Sequence, residues 1–205
     1  MSQKKTTIEQ KIIIALIVMV VVTVIVYAVR SQSKEFRDAM DKYIPINPFN
    51  MANIVLKAQQ EKFVKDLHPD VQWRFRAFIK EVEDSGWSVI ATSGYRDFQK
   101  QFQLHRQNPK NARPGRSHHN YGLALDINAT KGKIALRKAS SEKAWVSSGI
   151  PAIAKKHGLS WQYRFGTYVD PIHFYYKADT AKLLQRGIAQ FGSDEKIIGN
   201  QVALS

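Results

Sequence analysis

From Ile12 to Val29 the chain is unbroken in apolar character: IIIALIVMVVVTVIVYAV carries only the Thr23 hydroxyl and the Tyr27 phenol as polar groups. Eighteen helical residues at about 1.5 Å rise reach roughly 27 Å, close to the hydrocarbon thickness of a bilayer. A buried core helix would show a polar stripe, and this run has none. It ends Val26-Tyr27-Ala28-Val29-Arg30, a poor cleavage site, which favours a retained transmembrane anchor over a cleaved signal peptide. Residues 1–11 are then a short N-terminal tail. Residues 30–50 are polar and mixed, with Pro45 and Pro48, and read as a stalk.

Beyond the stalk the pattern is that of a globular domain over residues 51–190. Residues 52–66 suit a short helix. Val71, Phe75, Phe78, Ile79 and Val82 recur at helical spacing after Pro69, and Gly86 ends that helix. Trp87–Thr92 (WSVIAT) reads as a strand, and Ser93-Gly94-Tyr95-Arg96 turns into a helix near Phe98–Gln107. Asn108–Arg116, with Pro109, Pro114 and Gly115, is a loop. Leu123–Ile127 is a second strand, Ser141–His157 one helix ending at Gly158, His173–Tyr176 an aromatic strand, and Thr180–Ala189 a closing helix. Residues 191–205 have little pattern and read as a loosely held tail. Helices beside a small antiparallel sheet make the fold class α+β.

Composition narrows the chemistry. The 205 residues include no cysteine, so disulfides, thiolate metal sites and cysteine nucleophiles are excluded. The formal net charge of +14 favours a polyanionic surrounding such as anionic lipid or an anionic cell envelope. Specific nucleic-acid binding is not expected, because the positive charge is scattered and no nucleic-acid motif accompanies it. Lys4, Lys5 and Lys11 before the apolar run are matched by Arg30, Lys34, Arg37 and Lys42 after it, so charge alone does not orient the segment.

Two short stretches carry the candidate chemistry: Ser117-His118-His119-Asn120-Tyr121-Gly122-Leu123-Ala124-Leu125-Asp126 and Asp170-Pro171-Ile172-His173-Phe174. Together they offer two imidazoles and a carboxylate for a metal, plus a second carboxylate three residues before the last imidazole. A zinc hydrolase needs three protein ligands, an open position for water and a base for the water's proton. His119 and Asp126 lie seven apart, an odd separation that on a straight strand would put them on opposite faces. Asn120-Tyr121-Gly122 supplies the required bend. No His-Glu-x-x-His, Gly-x-Ser-x-Gly or phosphate loop is present. Ser117 beside His118 does not make a serine hydrolase, since sequence neighbours rarely meet in the needed geometry.

The pattern Ser-x-His-x-x-Gly-x-Ala-x-Asp at Ser117–Asp126 resembles the signature of the VanY-type D-alanyl-D-alanine carboxypeptidases and the phage L-alanyl-D-glutamate peptidases. Ser93-Gly94-Tyr95-Arg96 and Asp170-x-x-His173-Phe174 resemble that family's other two markers, in its order, over roughly residues 60–178. The resemblance implies Zn2+ held by His119, Asp126 and His173, with Asp170 as general base. It implies Arg96 as the group that steadies the oxyanion, its alternative being an ordinary salt bridge, and Ser117 as a substrate contact. His118 is out of register and expected to be a bystander. His68, His105 and His157 match nothing and are expected on the surface or in packing. Trp161, Tyr163 and Phe165 are expected either in the core or along a substrate groove.

Aspartate at 170, where carboxypeptidase branches carry glutamate, is similar to the L-alanyl-D-glutamate endopeptidase branch. The expectation is a membrane-anchored zinc metallopeptidase acting on peptidoglycan stem peptides, held in the lipid bilayer by residues 12–29 with its catalytic domain on the extracytoplasmic side. A bacterial envelope enzyme and a phage-encoded endolysin-like protein both fit. D-alanyl-D-alanine carboxypeptidase activity is the alternative within enzymes. A non-catalytic wall-binding or virion membrane protein is the alternative of another class.

Overall fold

The computed structural model describes residues 48–205. The apolar run 12–29, the N-terminal tail and nearly all of the stalk lie outside the described residues. Among the described residues no helix is long and apolar enough to cross a membrane. Helix α1 spans Pro48–Lys65, so it starts four residues earlier than the pattern suggested and takes in the last three residues of the expected stalk. The compact unit of interest is Leu56–Ser205.

Helix α2 (Pro69–Asp84) buries Val71, Phe75, Phe78, Ile79 and Val82, the stripe that the 3.6-residue spacing predicts. Its N-terminus is capped by His68, whose Nδ1 accepts from the Asp70 N–H at 3.2 Å. Pro69 follows at the first helical position, where a missing N–H costs nothing. The stripe packs on an antiparallel sheet. Strand β1 (Ser88–Ser93) pairs with β2 (Ala124–Lys131), and β2 is flanked on its other edge by β3 (Ile134–Leu136) and β7 (His173–Tyr175). Strand β4 (Ser160–Trp161) extends the sheet beyond β7. Phe174 of β7 meets Phe78 at 5.0 Å and Trp145 at 5.9 Å between ring centres, which closes the core between helix and sheet. The domain is α+β, built on a small antiparallel sheet flanked by helices.

Register decides what this sheet presents. Asp126 of β2 stands opposite Ser93 on one side and His173 on the other. A bulge between Ala91 and Ser93 shifts the first of these pairings. The ends of three chain segments far apart in sequence therefore reach the same level of the sheet. Helix α3 (Phe98–Gln107) follows β1 and is capped by Asp97, whose carboxylate accepts from the Lys100 N–H.

Several expectations are corrected. The helix read over Ser141–His157 is two, α4 (Glu142–Ser147) and α5 (Ile150–Lys156). Gly149 takes a left-handed turn between them, and Pro151, with no N–H to donate, restarts the second. The strand expected over Leu123–Ile127 runs on to Lys131 and hairpins into β3. A separate small hairpin, β5 (Arg164–Phe165) with β6 (Tyr168–Val169), also went unpredicted.

The largest correction is at the C-terminus. Helix α6 extends over Thr180–Phe191, and short 3-10 turns follow at Asp194–Lys196 and Gly199–Gln201. Ile197 and Val202 are buried in the core, so this segment is packed rather than loose. Its side chains face an existing apolar surface one at a time, and no periodic pattern announces that arrangement.

Candidate metal centre

The site starts at a turn. His118–Tyr121 forms a 3-10 helix whose N-cap is Ser117, its hydroxyl accepting from the His119 N–H at 3.3 Å. Gly122 ends it with φ 64°, a left-handed conformation that only glycine adopts cheaply. The bend expected at Asn120-Tyr121-Gly122 is thus a capped 3-10 turn leading straight into β2. Asn120 is fully buried and acts as a clamp. Its Oδ1 accepts from the Gly115 N–H at 3.0 Å, and its Nδ2 donates to the Arg96 carbonyl at 2.9 Å. One amide side chain ties together the loop before the turn and the segment after β1.

These elements bring His119, Asp126 and His173 together. His119 Nε2 lies 3.1 Å from Asp126 Oδ1 and 3.1 Å from His173 Nδ1, and His173 Nδ1 lies 2.9 Å from Asp126 Oδ1. The three are the cluster of metal-ligating type found among the described residues, and all are buried. Two ligand atoms bound about 2.0–2.1 Å from a tetrahedral zinc stand roughly 3.3 Å apart, so a triangle with edges near 3 Å fits such an ion after slight opening.

Proton placement leads to the same conclusion. His119 Nδ1 is 2.7 Å from the Gly94 carbonyl, which only accepts, so Nδ1 carries the hydrogen and Nε2 is a lone pair. That lone pair faces a carboxylate oxygen. Burial lowers the proton affinity of His119 despite the Asp126 charge, which disfavours an imidazolium there. Burial also resists ionisation of Asp126, but the two imidazoles beside it favour the carboxylate and hold the carboxyl below the usual range. One N–H on His173 serves a single neighbour. With His173 Nδ1 unprotonated, all three atoms are acceptors converging on one point, and a divalent cation satisfies them together.

A cavity of about 710 Å³ opens above this triangle, and Arg96, Ser117, His119, Asp126, Asp170 and His173 all line it. Arg96 donates to Gln101 Oε1 at 3.0 Å and to Ser93 Oγ at 3.1 Å, and its guanidinium comes within 3.8 Å of Asp126 Oδ2. Both the expected role and the salt bridge are therefore compatible with where Arg96 sits. Asp170 lies on the turn before β7, where the His173 N–H donates to its carbonyl at 3.2 Å. Lys138 Nζ approaches Asp170 Oδ1 at 3.3 Å without hydrogen-bond alignment, so that buried oxygen remains an acceptor with no aligned donor. Lys138 also donates to the Tyr168 hydroxyl at 2.7 Å.

Residues 64–179 match the family model described as VanY, D-alanyl-D-alanine carboxypeptidase. The chain belongs to the VanY family. The Bacillus subtilis peptidoglycan L-alanyl-D-glutamate endopeptidase CwlK is 34% identical over 87 residues, which covers 39% of this chain and 48% of that protein. The chain thus spans about half the length of this curated relative. Among solved structures, the Serratia marcescens L-Ala D-Glu endopeptidase ChiX is similar over 57% of this chain and 85% of its own, at 19% identity and a TM-score of 0.43. A variant of the D,D-pentapeptidase VanY from a VanB-type resistance cassette, in complex with Zn(II), is similar over 59% of this chain and 79% of its own, again at 19% identity and a TM-score of 0.43.

Within the matched span the structure also places residues that carried no expectation or a different one. His118, expected as a bystander, is not in the triangle, yet it lines the cavity and its ring lies tilted against Tyr175, 4.5 Å between ring centres. Burial pushes its pKa down to about 4. Phe165 lies edge-on to His173 at 5.4 Å and lines the cavity. Trp161 instead donates its indole N–H to the Pro171 carbonyl at 2.7 Å, and Tyr163 reaches the Ser140 carbonyl. Only Phe165 of those three aromatics faces the groove. His68, His105 and His157 bond to Val202, Asn111 and Glu81 respectively, outside the site. Lys138, Tyr168 and Gln101 escaped sequence reasoning, because nothing in periodicity or motif spacing marks a lone lysine or glutamine as facing a cavity.

Proposed function

We propose that this chain is a zinc-dependent peptidoglycan peptidase that hydrolyses stem peptides between L-alanine and D-glutamate. The observation that carries the proposal is the buried triangle of His119, Asp126 and His173 beneath a cavity also lined by Asp170 and Arg96. Likeness to CwlK, by its name an L-alanyl-D-glutamate endopeptidase, supports the choice of bond. In this assignment His119 Nε2, Asp126 Oδ1 and His173 Nδ1 hold the metal. When bound, zinc supplies Lewis acidity and lowers the pKa of a coordinated water to about 7.

The remaining work falls to the protein's own groups. The Asp170 carboxylate, on the cavity wall, takes the proton of the attacking water and passes it to the departing amine. Lys138, fixed on Tyr168, orients that carboxylate. Arg96, held by Ser93 and Gln101, offers N–H groups to the oxygen that gains negative charge, an interaction worth roughly 3 kcal/mol in comparable sites. Ser117 lies on the same cavity, in position to contact the substrate backbone. The apolar run 12–29 supports a membrane-anchored form with the peptidase domain on the extracytoplasmic side, the short N-terminal tail remaining inside.

A second reading, D-alanyl-D-alanine carboxypeptidase, is favoured by the description of the matched family. Digestion of purified stem peptides, with the new ends identified by mass, separates the two. The expected product begins at D-glutamate. Loss of free D-alanine from a pentapeptide, with the alanyl–glutamate bond intact, would favour the second reading. Zinc near one per chain, and turnover that disappears with chelator and returns with metal, is expected of both; metal-independent turnover would exclude both. Membrane fractionation with external protease digestion tests the anchor and its orientation.

A further inference from the structure

Between Asp97 and Asp126 the chain carries no acidic residue but five cationic ones: Lys100, Arg106, Lys110, Arg113 and Arg116. Among the described residues none of the five forms a salt bridge. Three of them, Lys100, Lys110 and Arg116, line the wall of the cavity built by α3 and the loop that follows it. The other charged groups of the cavity are already matched within it. Arg96 lies by Asp126, and Lys138 lies by Asp170. The unbalanced charge of the cavity is therefore positive, and it comes from α3 and the loop that follows it.

A charged wall over a cleft raises the local concentration of a ligand of opposite sign and discriminates against a neutral one. We propose that Lys100, Lys110 and Arg116 recognise a free carboxylate on the substrate, so that the site selects stem peptides carrying D-glutamate over the same peptides carrying D-isoglutamine. This deepens the peptidase assignment and rests on it for the identity of the peptide. The chemistry required of the ligand is a carboxylate within reach of α3 when the peptide lies across the triangle. Arg116, with its planar fork, is suited to bind it through two N–H groups, and the two lysines supply charge without fixed geometry.

The test pairs two peptides with two readouts. For zinc-loaded full-length protein, kcat/KM is expected to be about 10-fold or more higher for the D-glutamate stem peptide than for its D-isoglutamine counterpart, as one charge-assisted contact allows. Arg116→Gln and Lys110→Gln should each reduce that preference, and the double variant should bring it near unity while changing turnover of the amidated peptide by less than about 2-fold. Arg116→Lys should keep part of the preference, which separates charge from folding. Calorimetric titration of the non-cleavable fragments that begin at D-glutamate or D-isoglutamine provides the second readout, independent of turnover. Tighter binding of the acid, lost in the double variant, supports the basic wall even if the protein cleaves neither stem peptide, in which case the peptidase assignment alone fails. Equal binding of acid and amide by the unaltered protein, or a preference that survives the double variant, overturns the proposal. A loss of binding to whole peptidoglycan sacculi without any change in the acid-to-amide ratio would overturn it too, and would make this wall a general polyanion contact.

Discussion

At the scale of single residues, the site is a set of acceptors held face to face by hydrogen bonds that their own side chains and turns make on the outside. The Gly94 carbonyl fixes the tautomer of His119, and the Asn120 amide fixes the turn that carries it. Asp170 differs from the others in having an acceptor oxygen without an aligned donor. Asp170→Asn keeps the size and removes the proton acceptor. It is expected to lower kcat by about 100- to 10,000-fold while leaving zinc content unchanged, read by stem-peptide turnover and metal analysis on the same sample. Unchanged turnover would remove Asp170 from the base position. His118 gives a pH prediction for the metal-free protein. Its folded pKa is depressed to about 4 from 6.5, so folding favours the neutral ring. The unfolded chain then binds more protons between these values. The stability contributed is present above pH 6.5 and is lost as pH falls toward about 4, up to about 3 kcal/mol. Denaturant melts at pH 7 and pH 4.5 should show a smaller pH-dependent loss for His118→Gln than for the unaltered chain. An identical loss would show that the ring is not buried neutral.

At the scale of elements, legibility followed periodicity. The α2 stripe was readable because it repeats an apolar position at the helical period, and the strand after Trp87 because it is rich in apolar and β-branched residues. The helix from Phe98 buries only Gln101 and was bounded by the turn before it and the loop after it. The meeting of His119, Asp126 and His173 was readable through motif spacing, and the sheet register explains why that spacing works: Asp126 and His173 are cross-strand partners, and His119 is delivered to them by a turn. Strands of two or three residues, such as β4 to β6, are too short to have a period. The break between α4 and α5 was visible in Gly149-Ile150-Pro151, but the amphipathic pattern on both sides concealed it. The 3-10 turn is the element on which the site depends most. Gly122 sits at φ 64°, and a Cβ there would stand 2.5 Å from the His68 nitrogen and 2.9 Å from the Leu67 carbonyl carbon. Backbone cannot yield as a side-chain tip can. Gly122→Ala is expected to cost about 2–4 kcal/mol, the sum of left-handed strain and the clash. Urea midpoints and zinc affinity should fall together in this variant, because the same turn carries His119. A folded variant with reduced stability but normal zinc affinity would uncouple them.

At the scale of the whole unit from Leu56 to Ser205, the C-terminal segment joins the site to the far side of the core. The His68 Nε2–H donates to the Val202 carbonyl at 3.1 Å, which leaves Nδ1 to accept from Asp70 and cap α2. The His68 N–H in turn donates to the Gly122 carbonyl at 2.9 Å, immediately after the turn bearing His119. Gly199 packs against the Asn120 carbonyl so closely that only a glycine fits. None of this shows in the sequence, because a chain that lays single residues such as Ile197 and Val202 into a preformed surface has no repeat to read. A protein ending at Phe191 would lose both buried side chains, each worth about 1.5–3 kcal/mol. The expected cost is roughly 3–6 kcal/mol, a large share of the 5–15 kcal/mol typical of a domain. Because the segment also braces Asn120 and His68, the truncated protein should bind zinc about 10-fold more weakly, the effect usual for removing an outer support of a ligand. Full-length Ile197→Ala separates the two contributions, since it removes packing but leaves the Gly199 and Val202 backbone contacts. It should lower stability while zinc affinity stays near that of the unaltered chain. If the truncated chain melts at the same denaturant concentration as the intact one, the segment is an ornament, and the bracing role assigned to it is wrong.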